Sequence, residues 1–197
     1  MDNKQIQSER IKGYFIQAAK ELLKGEGLRS VSTRSVAEKA GYSYATLYNY
    51  FKDINDLVFE CVKDFQSECE VFVKTRTKKV QPGKERLKAI TATYIDYFIE
   101  YPGTFELCFL EKIRDIGSRK GLTELIYTFL DKLCEDDWNF CIREKQLEVE
   151  KVEILRHQLR FTVMGLLLFF ENRRQPGTYQ DFIVLVNKMI NAVLETS

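Results

Sequence analysis

Histidine is almost missing from this chain: His157 is the only one in 197 residues, and the five cysteines, at positions 61, 69, 108, 134 and 141, include no closely spaced pair. A structural zinc site of the Cys/His type needs such pairs, so no metal is expected. An odd number of scattered cysteines also excludes a disulfide framework. Proline is scarce, with three residues, each at an apparent element junction where it interrupts nothing. Net charge is nearly absent, since 30 Lys and Arg oppose 29 Asp and Glu for a formal +1. No overall field therefore commits the protein to nucleic acid or membrane, and any basic footprint must be local. The longest apolar run, Phe161 to Phe170, is broken by Thr162 and Gly165 and has about half of the roughly 20 residues that cross a bilayer. It reads as a buried helix, and a membrane is not expected as a partner. The stretch MDNKQIQSERIKG lacks the apolar centre of a signal peptide, which together with unpaired cysteines leads us to expect the reducing cytoplasm. No nucleophile sits near a base, no carboxylates form a constellation and no phosphate loop occurs, so neither enzymatic activity nor a cofactor is expected.

What is there is helical periodicity. Ile11, Phe15, Ala18, Ala19 and Leu22 form one apolar stripe, which predicts an amphipathic helix closed by Gly25 and Gly27. Ser32 stands where an N-cap belongs, Val36 and Ala37 supply a small apolar face, and Gly41 offers the left-handed residue that ends a short helix. Ser43 then caps a second short helix over Tyr44–Phe51, and Asp53 with Asp56 caps a third, long one. Its stripe, Leu57, Cys61, Phe65, Cys69 and Phe72, runs toward Lys78 and stops before Pro82. Further helices are predicted from Leu87 to Tyr101, from Phe105 to Ile116, from Leu122 to Ile142, from Val152 to Asn172 and from Tyr179 to Thr196, with a loop over Lys145–Lys151. No segment alternates as a strand, and the expected fold class is all-α.

Two short helices joined through Gly41 and packed on a longer first helix make a helix-turn-helix, whose second helix can lie in a major groove. Val36, Ala37, Ala40, Leu47 and Phe51 are its mini-core. Tyr44, Ala45, Thr46, Tyr48 and Asn49 face the other way and present hydroxyls, a methyl and an amide, groups suited to phosphates and base edges. The run STRSVAEKAGYSYATLYNYF, Ser32 to Phe51, resembles the DNA-binding signature of the TetR family of bacterial repressors. That resemblance implies that Tyr44, Ala45 and Thr46 approach bases, that Tyr48 and Asn49 hold phosphates, and that Arg34 reaches a neighbouring base or phosphate. It also implies that Ser32 and Thr33 anchor the preceding helix. With Ser43 and Lys52 these residues form the expected DNA-binding set. The chain departs from the family at Ile54, where a lysine is common, so one phosphate clamp is missing and Lys52 is the nearest substitute. With no Arg, Lys or Gln on the reader's outer face, thymine methyl and hydroxyl contacts are expected to outweigh guanine contacts.

Residues 1–52 hold nine Lys and Arg against five Asp and Glu, and the remainder holds 21 against 24. A basic reading module on a slightly acidic body fits a DNA-binding domain at 1–52 and a ligand-binding and dimerisation domain at 53–197. The resemblance implies a small-molecule pocket, and the aromatic residues Tyr94, Tyr97, Phe98, Tyr101, Phe105, Phe109, Tyr127 and Trp138 are expected to line it. The cysteines fall on apolar stripes and read as small hydrophobes, and His157 as a surface or interface residue. FTVMGLLLFF is apolar around its circumference and needs a second partner. Phe161, Met164, Leu167, Leu168, Phe182, Val186 and Ile190 are the expected homodimer interface, half of a four-helix bundle. The function expected is a repressor released from a palindromic DNA operator by a small, largely hydrophobic effector. The competing class is a helical-bundle carrier or enzyme that does not bind DNA.

Overall fold

In a computed structural model, residues 2–110, 120–173 and 175–195 are described. Among them there is no strand, and the helices are α1 (Asn3–Glu26), α2 (Thr33–Ala40), α3 (Tyr44–Leu47), α4 (Ile54–Thr77), α5 (Lys84–Glu100), α6 (Pro102–Phe105), α7 (Lys120–Tyr127), α8 (Phe129–Arg143), α9 (Val149–Arg173) and α10 (Tyr179–Glu195). The chain divides into two compact units, Met1–Ser67 with Tyr101–Ile126, and Glu68–Glu100 with Tyr127–Ser197. The first unit thus takes in more than the N-terminal 52 residues.

Local chemistry sets the boundaries of the first unit. α1 ends at Gly27, whose φ of 75° is a conformation that glycine adopts without a Cβ penalty. Ser32 accepts a hydrogen bond from the Ser35 amide at 3.1 Å, and Ser35 Oγ accepts one from the Ser32 amide at 2.9 Å. This reciprocal capping box has serine in the position usually held by Glu or Gln. α2 closes on Gly41 in the left-handed region, φ 76°. The Asp53 carboxylate accepts from the Asp56 amide at 2.8 Å, while Asp56 accepts from the Lys52 amide at 3.0 Å, as the sequence predicts for the start of α4. Phe15, Leu23, Val36, Leu47, Phe51, Leu57, Val62 and Phe65 build the core, which Leu107 from a π-helical stretch at Glu106–Leu110 completes. α6 lies against α1 so closely that a Cβ on Gly103 would stand 2.8 Å from the Leu23 carbonyl oxygen.

One element of this core is not apolar. Lys20 is 4% exposed, pairs with Asp64, and lies 5.3 Å from the Phe65 ring centroid. Its aliphatic stem continues the α1 stripe while its ammonium is matched by a carboxylate and a ring face.

The second unit is built of α5, α8, α9 and α10 with the C-terminal part of α4. Its core carries Leu87, Ile95, Tyr97, Trp138, Leu167, Phe182 and Val186. Gly83, φ 101°, begins α5, and a Cβ there would meet the Gln146 side chain at 2.8 Å.

Several predicted boundaries shift. The reading helix spans Tyr44–Leu47 rather than Tyr44–Phe51, because Tyr48 to Tyr50 turn toward the Asp53 cap. The single helix predicted from Leu122 to Ile142 is two, α7 and α8, parted at Thr128, and α9 begins at Val149 within the predicted loop. Ile113, Ile116 and Thr196 lie outside the described residues.

Four cysteines are buried and Cys108 is half-buried. Burial pushes the Cys61 and Cys108 thiols up to about 12 and raises that of Cys134 as well. At neutral pH the reactive thiolate is therefore scarce. We expect Ellman's reagent to label the native protein slowly and the five thiols rapidly in denaturant. Rapid labelling of the native protein would show that the interior opens readily.

Candidate nucleic-acid interface

The candidate reading surface is made by one turn of helix held from both ends and from beneath. At its start, Ser43 Oγ accepts from the Thr46 amide at 3.2 Å and shares a hydrogen bond of 2.9 Å with the Thr46 hydroxyl. From beneath, Leu47 and Phe51 are buried, and Phe51 meets Phe15 edge-on at 6.3 Å between ring centroids. Tyr42, between the two short helices, packs on Phe15 at 5.4 Å and stacks with Tyr14 at 6.3 Å. Tyr50 adds another ring against Phe15 at 6.0 Å.

This packing leaves a defined outer face. Tyr44 is 64% exposed and Tyr48 is 52% exposed, and Ala45 and Asn49 are exposed beside them. Two large aromatic rings facing solvent within five residues, one on α3 and one just after it, suit a surface that meets a partner. Ser32, Arg34, Ser43 and Lys52 are also exposed, and Thr33 and Thr46 are half-buried. The Ser32 and Ser43 hydroxyls cap their helices, and the Thr46 hydroxyl is engaged with Ser43. The chemistry of Thr46 available at the outer face is thus mainly its methyl.

The charges are arranged simply. Among the described residues, Arg34 and Lys52 join no ion pair, whereas Lys39 is matched by Glu21 at 3.1 Å. Two free cations flank the neutral face of α3, one before it on α2 and one after it. The reciprocal role of Ser35 is one feature of this surface that the sequence does not announce. Its signal is weak, because serine at the third helical position is a poor match to the usual capping box.

The aromatic set expected to line a pocket is divided between the units. In the second, Tyr94 packs on Phe98 at 4.9 Å and on Phe129 at 5.9 Å, and Tyr97 meets Phe98 at 5.4 Å. Trp138 is fully buried in the same unit, whereas Tyr127 is 41% exposed, its hydroxyl 3.3 Å from His157 Nδ1 and its ring 3.8 Å from the Arg160 guanidinium. Tyr101, Phe105 and Phe109 belong to the first unit, where Phe105 and Phe109 pack at 5.4 Å.

A cleft of about 750 Å³ lies elsewhere, between α9 and α10. It is lined by Ile154, Leu155, His157, Phe161, Met189 and Val193 among others, and by none of the eight aromatic residues. Of the seven expected interface residues, Phe161 and Leu168 are exposed and Met164 is half-buried. Leu167, Phe182, Val186 and Ile190 are buried within the unit itself, because they form the inner seam on which α9 and α10 pack. The outward stripe consists instead of Ile154, Phe161 and Leu168 at seven-residue spacing, and Met189 lines the same cleft as Ile154 and Phe161.

Comparison with known proteins agrees with this geometry. Residues 15–61 match the family described as bacterial regulatory proteins, tetR family. The chain is 22% identical to the TetC protein of transposon Tn10 from Escherichia coli, over 89% of each chain. It is 24% identical to the HTH-type transcriptional regulator BetI of Klebsiella pneumoniae, over 60% of this chain and 68% of that one. Among solved structures, the transcriptional regulator FadR of Bacillus subtilis, in complex with stearoyl-CoA, superposes with a TM-score of 0.73 at 18% identity, covering 92% of this chain and 96% of that one. A tetR family transcription regulator of Shewanella sp. PV-4 does so with a TM-score of 0.70 at 11% identity, covering 91% and 95%. Residues 15–61 are thus a helix-turn-helix segment of the tetR family of bacterial regulatory proteins, and the chain shares the all-helical fold of solved regulators along nine-tenths of its length.

Proposed function

We propose that this regulator is a repressor that binds a palindromic DNA operator as a homodimer and leaves it when a small molecule occupies the second unit. The observation that carries the reading is the outward face of α3. Its helix is fixed by a cap and a buried Leu47, and its tyrosines, Ala45 and Asn49 are exposed. Phosphate contacts by Arg34, Tyr48, Asn49 and Lys52 would set the register, while Tyr44, Ala45 and the Thr46 methyl read base edges. Residues 1–52 remain the segment to which we assign DNA binding, with sensing and dimerisation assigned to 53–197. The stearoyl-CoA bound by the Bacillus subtilis FadR supports a sensing role for a helical body of this kind. Coupling requires two states with different affinity for the effector, and α4, continuous from Ile54 to Thr77, is one covalent route between the units.

Selection of binding sites from a random duplex pool tests the reading. We expect a two-fold symmetric site with half-sites about one DNA turn apart, roughly 34–36 Å, and affinity that falls steeply as salt rises. No binding to any duplex at low salt would leave only a helical carrier.

Dimerisation is assigned to the outer stripe of α9. Phe161 is 62% exposed, so replacing it by aspartate leaves the protomer core intact while placing a charge at the centre of the apolar face. Phe161→Asp is expected to sediment as a monomer at micromolar concentration and to lose at least tenfold in operator affinity. A Phe161→Asp dimer indistinguishable from wild type would place the interface elsewhere.

A further inference from the structure

The seam between α8 and α9 holds donors that the protein does not use. Trp138 is fully buried, and its indole N–H has no acceptor among the described residues; the same is true of the Nε–H groups of Arg156 and Arg160. A buried donor without a partner is costly, and native interiors leave very few. Three along one seam call for a common cause.

Their arrangement follows from helix register. Arg160 pairs with Asp131, which sets that turn of α9 level with the start of α8. One turn along, Arg156 comes level with Cys134, and its charge lowers the thiol that burial otherwise raises. Trp138 is one further turn from Cys134 on the same face of α8, ~6 Å along the axis at 1.5 Å per residue. The surroundings are apolar, since Cys134, Cys141, Val152, Leu155 and Leu159 are all buried.

The charges are uneven. Arg160 is neutralised by Asp131, and Asp137 on the same helix is taken by Arg86. Among the described residues Arg156, half-buried with its Nε fully covered, has no such counter-charge; Lys151 and Arg160, its neighbours on α9, both have one. A planar guanidinium in apolar surroundings is matched by a carboxylate, which accepts two parallel hydrogen bonds.

We propose that the second unit holds the carboxylate of an otherwise apolar small molecule on the Arg156 guanidinium and the Trp138 indole N–H. This rests on the reading that the second unit senses a small molecule, and it names the effector's class as a monocarboxylic acid. Arg156 supplies the charge and the fork, Trp138 supplies a directional donor, and the buried aliphatic residues of α8 and α9 accept the apolar remainder.

Trp138 is the only tryptophan in the chain, so its fluorescence reports on the site directly, with no DNA present. The full-length protein is titrated with acetate, benzoate and decanoate, each against its uncharged counterpart, acetamide, benzamide and decanol. At least one acid is expected to change the emission saturably and to bind tenfold or more tighter than its counterpart. Arg156→Met removes that preference, and Arg156→Lys, which keeps the charge but not the fork, retains part of it. Because Arg156 has no counter-charge among the described residues, Arg156→Met is also expected to unfold at the same or a higher temperature without ligand. The proposal is overturned by equal binding of acid and counterpart, by an undiminished preference in Arg156→Met, by no saturable response across the panel, or by a lower unfolding temperature of that variant. Operator release is measured separately. An acid that binds as described but leaves the operator complex intact upholds the site and removes induction from the proposed function.

Discussion

Asp137→Ala is expected to destabilise the protein by about 3–5 kcal/mol, the loss typical when one partner of a buried ion pair is removed. The carboxylate is 1% exposed, and every contact it makes is structural. Its two oxygens accept from Arg86 Nε at 2.9 and 2.8 Å, and Oδ1 also accepts from the Gly83 amide at 2.8 Å. The pair joins α8 to the tight start of α5, where Gly83 adopts a positive φ. Truncation leaves a guanidinium only partly open to water and a buried amide without its acceptor, and both costs add. For a chain of this length the midpoint of thermal unfolding should fall by roughly 10 °C. Asp137→Asn, which keeps an acceptor for Gly83 but loses the charge, is expected to lie between wild type and Asp137→Ala. A double-mutant cycle with Arg86→Met isolates the pair, and the expected coupling is about 1–3 kcal/mol. Urea unfolding read by circular dichroism checks the series. An Asp137→Ala protein as stable as wild type would mean that water takes over both donors.

Asp137 also shows where sequence reading stops. In the run CEDDWNF, Asp136 and Asp137 are chemically identical neighbours, yet the first is exposed and the second buried. The register that separates them is set by Cys134, Trp138 and Cys141, but the partner Arg86 is 51 positions away. Lys20 and Arg156 are of the same kind, cations whose burial depends on a packing partner that periodicity does not name. Local grammar was legible by contrast, because caps act over three or four residues. Ser32, Gly41, Ser43 and Asp53 mark helix boundaries by their own chemistry, and all four perform that role. The outer face of the reader was legible for the same reason, since alternation between Leu47 and its neighbours is a local pattern. Which face of α9 and α10 is spent inside the protomer was not. FTVMGLLLFF is apolar all round, so composition cannot tell the inner seam of Leu167 from the outer stripe of Phe161 and Leu168, and only the packed neighbours decide.

Removing both exposed tyrosines of the reader, Tyr44→Ala with Tyr48→Ala, is expected to lower operator affinity about a hundredfold while leaving stability within about 0.5 kcal/mol of wild type. The separation follows from exposure. Neither ring fills a protein cavity, so truncation removes surface that only a partner can bury. On the proposed assignment the two positions fail differently. Tyr48 donates its hydroxyl to a phosphate, so Tyr48→Phe should weaken operator and random duplex alike, by several-fold. Tyr44 lies against base edges, so Tyr44→Ala should cost about 1–3 kcal/mol on the operator and little on random DNA, narrowing the ratio between them. The flanking cations give the control. Arg34→Ala or Lys52→Ala should each reduce the slope of log affinity against log salt by about 0.9, one counterion per phosphate contact, without changing which bases are preferred. Thr46→Ala, which removes the outward methyl and the hydroxyl bonded to Ser43, should weaken contacts at thymine positions and spare guanine. Footprints in which Thr46→Ala abolishes dominant guanine contacts, or a Tyr44→Ala, Tyr48→Ala protein that holds the operator as tightly as wild type, would mean that the exposed face of α3 is not the surface that meets DNA.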